Sequence, residues 1–241
     1  MNDTVCEQSP GAEHSGVLRV MYLFAGRKRV GDLGDWLDRK AGSDKLLLDQ
    51  VDIIRGKQCD LAKGKLRSRL LERVRAGKVD LLVASPPCST FSRARMSGRP
   101  GPPALRSAAW LRGFPRLRGK AAKKVKEANL FILFTVEILQ AQSAAGGWWF
   151  LEHPEDLGKR PSGVPGSIWR WPELSALAEH SGVETGALLQ SDWGVPYAKP
   201  TRFMFNLPRL REIVCLGWPC FAPDGAYLGP LSRKRGHGEL I

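Results

Sequence analysis

VDLLVASPPCS, residues 79–89, is the stretch on which the fold turns. Its first seven residues, 79–85, are apolar at neighbouring as well as alternating positions. That is the pattern of a strand covered on both faces, as in a parallel sheet. Pro86 and Pro87 then remove two backbone donors and fix the chain in a bend, which ends the strand. Working outward, the same alternation of strand and helix recurs. LAKGKLRSRLLERVRAG places Leu66, Leu70 and Val74 one helical turn apart and stops at Gly77. Residues 45–53 and 17–24 read as two earlier strands. Between them lies a helix with Leu33, Trp36 and Leu37 on one face and Gly42 to end it. Downstream come a Gly- and Pro-rich loop, a long helix over about 120–142, and the strand WWFLEHP. A short helix at PELSALAEH follows, then two strands near 187–190 and 202–206. Strands alternating with helices predict an α/β fold with a parallel sheet and helices on both faces. In such sheets a ligand lies outside the carboxyl ends of the strands.

The chain has 241 residues, enough for one large domain with a full core. Its five cysteines are scattered and odd in number, which argues against a disulfide framework. The first residues are polar and acidic, unlike a signal peptide. The most apolar run, residues 130–139, carries Glu137 and is too short to span a bilayer. An intracellular location, nucleus or cytoplasm, and no membrane partner are therefore expected. The unusual quantity is a net charge of +13. Residues 81–126 contain no acidic residue and eleven basic ones, beginning with Arg93, Arg95, Arg99 and Arg106. So concentrated a charge points to a polyanionic partner.

At each expected strand end stands a residue of chemical interest. Phe24-Ala25-Gly26 lets backbone approach a nucleotide-like ligand, or is a plain strand-to-helix turn. Asp49 is placed to hold ribose hydroxyls and Asp60 to accept from an exocyclic amine, although each also reads as a cap or turn residue. Cys88 stands on the diproline bend. Arg93 and Arg95 nearby are expected to lower its thiol pKa. Glu152 leaves a very apolar strand, where burial raises a carboxyl pKa and suits proton donation. Lys199 and Arg202 lie on a Pro-containing turn and the strand after it.

Together these residues resemble the DNA (cytosine-5) methyltransferase family. The resemblance runs from about residue 17 to 206 through FAG, Asp49, Asp60-Leu61, SPPCSTFS, LEHPEDLG and WGVPYAKPTRFMFN. It implies a Rossmann-like S-adenosylmethionine-binding sheet over 17–206. Phe24, Ala25, Gly26, Asp49, Asp60, Leu61 and Pro86 would hold S-adenosyl-L-methionine. Cys88 would attack carbon-6 of a flipped-out cytosine, Glu152 would hold ring nitrogen 3, and a methyl would pass to carbon-5. Lys199 and Arg202 would assist catalysis. The physics is consistent with this: carbon-5 is a poor nucleophile until a thiolate adds beside it, and the base must leave the duplex to be reached. DNA is the implied partner, held by Arg93, Arg95, Arg99 and Arg106. Eight Gly or Pro residues within 98–119 suggest a mobile, cationic lid.

The sequence departs from the family in four places. Arg27-Lys28-Arg29 follows FAG where a second glycine pair is usual. Tyr22 precedes Leu-Phe where an acidic residue is usual. His153 follows Glu152, and Tyr197-Ala198-Lys199-Pro200-Thr201-Arg202 resembles the version in some phage and viral members. Residues 1–16 are expected to be a flexible tail. Residues 207–241 are expected to be a short, loop-like extension in place of a full target-recognition domain. No metal is expected: Cys215, Cys220 and His237 are irregularly spaced for zinc. Two alternatives stand beside methyl transfer to DNA, namely a catalytically degenerate nucleic-acid-binding module and the same chemistry on RNA.

Overall fold

The computed structural model describes residues 16–231. Seven strands form one sheet in the order β2-β1-β3-β4-β6-β5-β7. Its strands are β1 (Leu18–Leu23), β2 (Leu46–Val51), β3 (Leu81–Ala84), β4 (Trp148–Pro154), β5 (Glu184–Leu189), β6 (Pro200–Phe205) and β7 (Cys215–Leu216). The helices are α1 (Leu33–Ala41), α2 (Gly64–Arg75), α3 (Gly119–Ala144) and α4 (Pro172–Ala178). A separate hairpin joins β8 (Cys220–Phe221) to β9 (Tyr227–Gly229).

Local chemistry explains the boundaries. Asp32 caps α1 by accepting from the Asp35 amide at 2.9 Å, and Gly42 ends it at φ 84°. Helix α2 buries Leu66, Leu70, Leu71 and Val74, the stripe its spacing predicts. The apolar run 130–139 is the inner part of α3, and no helix among the described residues is long and apolar enough to cross a membrane.

Strand alternation divides the core in two. Met21, Leu23, Leu82, Ala84, Trp149 and Leu151 point to one face and pack under α2, α3 and α4. Val20, Val83 and Leu46 point to the other and pack with Leu37 of α1. Trp36 does not join Leu37 as its spacing suggested. It is 49% exposed, while Leu33, Leu37 and Ala41, one turn apart, form the face that packs on the sheet.

The sheet is not wholly parallel, as the alternating pattern implied. β1, β2, β3 and β4 are mutually parallel, but β6 runs antiparallel to both β4 and β5, and β7 antiparallel to β5. The connections give the reason. Helix α4 carries the chain from β4 back across the sheet to β5, so these two point the same way. Between β5 and β6 there is only a single 3-10 turn, Gln190–Trp193, and no α-helix to cross the sheet, so this short connection reverses the direction.

The segment after residue 206 also differs from the loop expected of it. Strand β7 extends the main sheet, with Gly186 opposite Leu216. Its close approach needs that glycine: a Cβ on Gly186 would stand 2.5 Å from Val214 Cγ2 and 2.9 Å from the Cys215 carbonyl. The Tyr227 hydroxyl donates to Glu155 at 3.0 Å and accepts from the Leu231 amide. Residues 207–231 are thus packed onto the sheet. The expected tail, apart from Gly16, and the end of the extension lie outside the described residues.

His153 is 2% exposed between the rings of Phe91 and Trp169, and its Nε2 has no hydrogen-bond partner. Burial, with help from the Arg106 charge, lowers its pKa from 6.5 to about 3. Between those values the unfolded chain binds a proton that the native chain does not, so stability falls as pH falls through 6.5. His153→Leu should abolish that dependence. Urea melts at pH 7 and pH 5 should differ by about 2 kcal/mol less in the variant than in the wild type. Identical pH dependence in both would refute the assignment.

Candidate active site

The strand order reverses at β1, with β2 on one side and β3 on the other. That switch point opens a crevice at the carboxyl ends of β1 and β3. Phe24, Ala25 and Gly26 form one lip, Ser85 and Pro86 the other, with the Ser85 amide donating to the Leu23 carbonyl at 3.2 Å.

Register brings the next strand alongside. Ala84 of β3 stands opposite Leu151 of β4, so Glu152 lies one residue past the pair and Cys88 four residues past it. Pleat parity then selects the groups that meet. Tyr22, Ser85 and Glu152 share the α1 face. Burial raises the Tyr22 pKa, and the Ser85 hydroxyl, which faces both Tyr22 and Glu152, opposes the rise at each. Burial nevertheless pushes the Glu152 carboxyl up, with the Lys199 cation opposing it.

Cys88 is open to solvent on the diproline bend. The surrounding protein still desolvates the thiol and raises its pKa. The Glu152 charge adds to that rise, and Lys199 again opposes it. Cys88, Glu152 and Lys199 therefore form one electrostatic cluster. The expected activation by Arg93 and Arg95 is not observed. Arg93 donates to the Gly158 carbonyl at 3.1 Å, and Arg95 to the carbonyls of Ser89 and Pro103. The cation that favours the thiolate is Lys199, brought from the other half of the chain by β6.

Backbone strain marks the same places. Among the described residues, Phe24 at φ 60° and Lys199 at φ 34° are the two non-glycine residues with positive φ. Such conformations persist where surrounding structure holds them, and they cluster at functional sites.

The cofactor residues expected from the sequence are partly relocated. Asp49 lies inside β2 opposite Met21, not at its end. Its parity turns it toward α2, where Arg73 Nη2 approaches to 2.5 Å. The strand-end carboxylate is Asp52, which accepts from the Gly26 amide at 3.0 Å and the Ile54 amide at 2.9 Å. Ile53 and Ile54 beside it are exposed. Asp60 is half-buried and accepts from the Ala62 amide, whereas Leu61 is buried in the main core. Pro86 is buried. Gly26 has φ 67° and open space where a Cβ would stand. Asp52 was missed because the strand expected over 45–53 ran past it, whereas β2 ends at Val51.

Arg202 is not part of the cluster. It pairs with His153 in the β4–β6 register and so faces away from Glu152. Its guanidinium and the Glu155 carboxylate are fully buried together, at 2.6 and 2.9 Å. Further bonds run to Thr185 Oγ1 and the Gly217 carbonyl. Arg106 is likewise a structural group and no nucleic-acid contact. It is 2% exposed, stacks 3.8 Å over Phe91 and donates to Thr90, Leu111 and Asn129. It pins the middle of the segment expected to be a free lid, at Leu105 and Arg106, while residues 98–103, with Arg99, and much of 109–119 stay exposed. No group of three or more His, Cys, Asp or Glu among the described residues is arranged to hold a metal ion.

The chain matches no protein-family model and no curated protein sequence.

Two outcomes follow. Glu155→Gln or Arg202→Leu strands one charge in the interior and should lower the unfolding free energy by roughly 3–5 kcal/mol in urea titration. A loss under about 1 kcal/mol would contradict the structural role given to the pair. For Cys88, the pH midpoint of iodoacetamide alkylation should rise in Lys199→Ala and fall in Glu152→Gln, because the two charges act on the thiolate with opposite sign. Equal midpoints in all three proteins would break the cluster apart.

Proposed function

We propose that the chain transfers a methyl group to carbon-5 of cytosine in DNA. The observation that carries this reading is the convergence of Cys88, Glu152 and Lys199 at the carboxyl ends of β3 and β4, beside the switch-point crevice. A thiol, a protonatable carboxyl and a cation are the set that covalent addition to a cytosine ring needs.

The crevice residues fit S-adenosylmethionine. Exposed Ile53 and Ile54 offer apolar surface for a flat ring, Asp52 and Asp60 offer acceptors for hydroxyl or amino groups, and open space adjoins Gly26. When bound, that cofactor supplies an electrophilic methyl on its sulfonium sulfur. The rest belongs to the chain. Cys88, as thiolate, adds to carbon-6 of the extruded base, and carbon-5 becomes nucleophilic. Glu152, whose carboxyl pKa burial raises, donates a proton to ring nitrogen 3 and withdraws the charge that addition creates. Lys199 favours the thiolate before addition and again at elimination, when a water base takes the carbon-5 proton, the carbon-6–sulfur pair leaves with the thiolate and ring nitrogen 3 returns its proton to Glu152. Exposed Arg99 and the Lys120, Lys123, Lys124 and Lys126 run of α3 provide cationic surface for a phosphate backbone.

One observation favours a second reading, a nucleic-acid-binding module without transferase activity. The Gly26 amide is already taken by Asp52, and the Cys88 thiol is shifted away from the thiolate. Calorimetry with S-adenosylmethionine separates the two: micromolar binding speaks for the enzyme, no heat for the module.

The decisive experiment traps the adduct. Duplexes and single strands carrying 5-fluorocytosine in many contexts, incubated with chain and cofactor, should give a denaturation-resistant complex, since fluorine cannot leave as the carbon-5 proton does. Cys88→Ala should give none. Absence of adduct in every context, with cofactor binding demonstrated, would overturn the proposal. Adduct on RNA strands alone would move the substrate to RNA.

A further inference from the structure

A second cationic feature lies apart from the Cys88 cluster. A cavity of about 390 Å³ is lined by Arg93, Lys159, Arg160, Asp224 and Tyr227, with Leu157 and Pro161 at its floor and rim. Three pieces of chain build it: the turn after Cys88, the loop after β4, and the β8–β9 hairpin. Its walls are closely fitted. The Lys159 amide donates to the Gly225 carbonyl at 3.0 Å, and a Cβ on Gly158 would stand 2.5 Å from the same oxygen. The Arg93 guanidinium is held by the Gly158 carbonyl.

The charge in this cavity is not balanced by the protein. Among the described residues, no ion pair includes Arg93, Lys159 or Arg160. The nearest buried acid, Asp156, is committed to Arg170 at 2.5 Å and to the Gly158 amide. Asp224 accepts from the Ala226 amide and is the single acid of the lining. The Nε atoms of Arg93 and Arg160 are both buried with no hydrogen-bond partner. Burial, and then the Arg160 charge, lower the Arg93 pKa to about 10, with the Asp156 carboxylate opposing them. Lys159 is exposed and Arg93 and Arg160 half-buried, so the unpaired atoms are these two Nε groups, and buried donors seldom lack an acceptor.

We propose that this cavity binds a phosphate group, a backbone phosphodiester of the nucleic acid, between Arg93, Lys159 and Arg160. Guanidinium groups match phosphate geometry, and three cations against one acid leave an excess of two positive charges to receive it. The carrier of the phosphate rests on the nucleic-acid reading above; the anion site itself does not. Because the cavity joins the loop after the nucleophile to the loop after Glu152, an occupied site would hold the strand in register with the bend that carries Cys88. The short hairpin would thereby do part of what a separate recognition domain would do.

The test uses the full chain and its Lys159→Ala/Arg160→Ala double variant, with Lys65→Ala/Arg69→Ala on the exposed side of α2 as a control of equal charge loss. Inorganic phosphate, a duplex and a single-stranded RNA of the same length serve as probes, without cofactor. Calorimetry should show saturable phosphate binding in the wild type and the α2 variant and none in the cavity variant. Anisotropy should show nucleic-acid affinity falling about tenfold in the cavity variant, with the slope of log K against log salt reduced by about 1. Equal phosphate binding by all three proteins, or none by the wild type, would overturn the site. Phosphate binding lost in the cavity variant with nucleic-acid affinity unchanged would overturn the phosphodiester and leave a free phosphate compound as ligand. A failed adduct experiment alongside these losses would remove the methyltransferase reading and leave the cavity standing. Circular dichroism melts check that the double variant folds.

Discussion

Everything at the carboxyl edge depends on the pairing of β3 with β4 in one register, Ala84 opposite Leu151. A parallel pair has evenly spaced bonds and no turn of its own to set the alignment, so side-chain packing must set it. Trp149, Leu151, Leu82 and Ala84 do so by filling one continuous core under α2 and α3. A slip of one residue would turn Glu152 into that core and His153 out of it. The same alternation that buries Leu151 therefore places the Glu152 carboxyl next to Ser85 and within the field of Cys88.

The reversed strand β6 adds what the parallel strands cannot. It carries Lys199 to the edge from a segment far along the chain and sends Arg202 to the opposite face. Arg202, Glu155 and Tyr227 then tie β6, β4 and the terminal hairpin together in a site closed to water. A buried pair of this kind contributes little net stability, but either member alone would be expensive, so the three elements are held as a unit.

The positive charge is less uniform in role than in sequence. Arg106 and Arg112 turn onto aromatic rings, over Phe91 and Trp171, and serve packing. Arg93 joins Lys159 and Arg160 at the hairpin cavity. The remaining cations of residues 81–126 lie mainly on the exposed part of α3 and the loop before it. A basic run is thus divided by folding into core, pocket and surface.

Strand and helix order, the buried face of α2, the diproline bend and the exposed Cys88 were all legible in the sequence, because they follow from apolar periodicity and from proline's missing donor. So was the raised carboxyl of Glu152, since an apolar strand desolvates whatever ends it. What only the tertiary structure decided were matters of face and partner. Asp49 and Arg202 occupy plausible positions in the chain, but pleat parity points them away from the crevice. Asp52 stands at the strand end in place of Asp49 because Asp49 lies inside β2, which stops at Val51 and leaves Asp52 as the first residue past it. Lys199, not Arg93 or Arg95, became the cation at the thiol, because proximity in sequence does not determine proximity across a sheet. The direction of β6 and the docking of residues 207–231 also had no local signature: both depend on which edges remain unpaired once the parallel strands have packed.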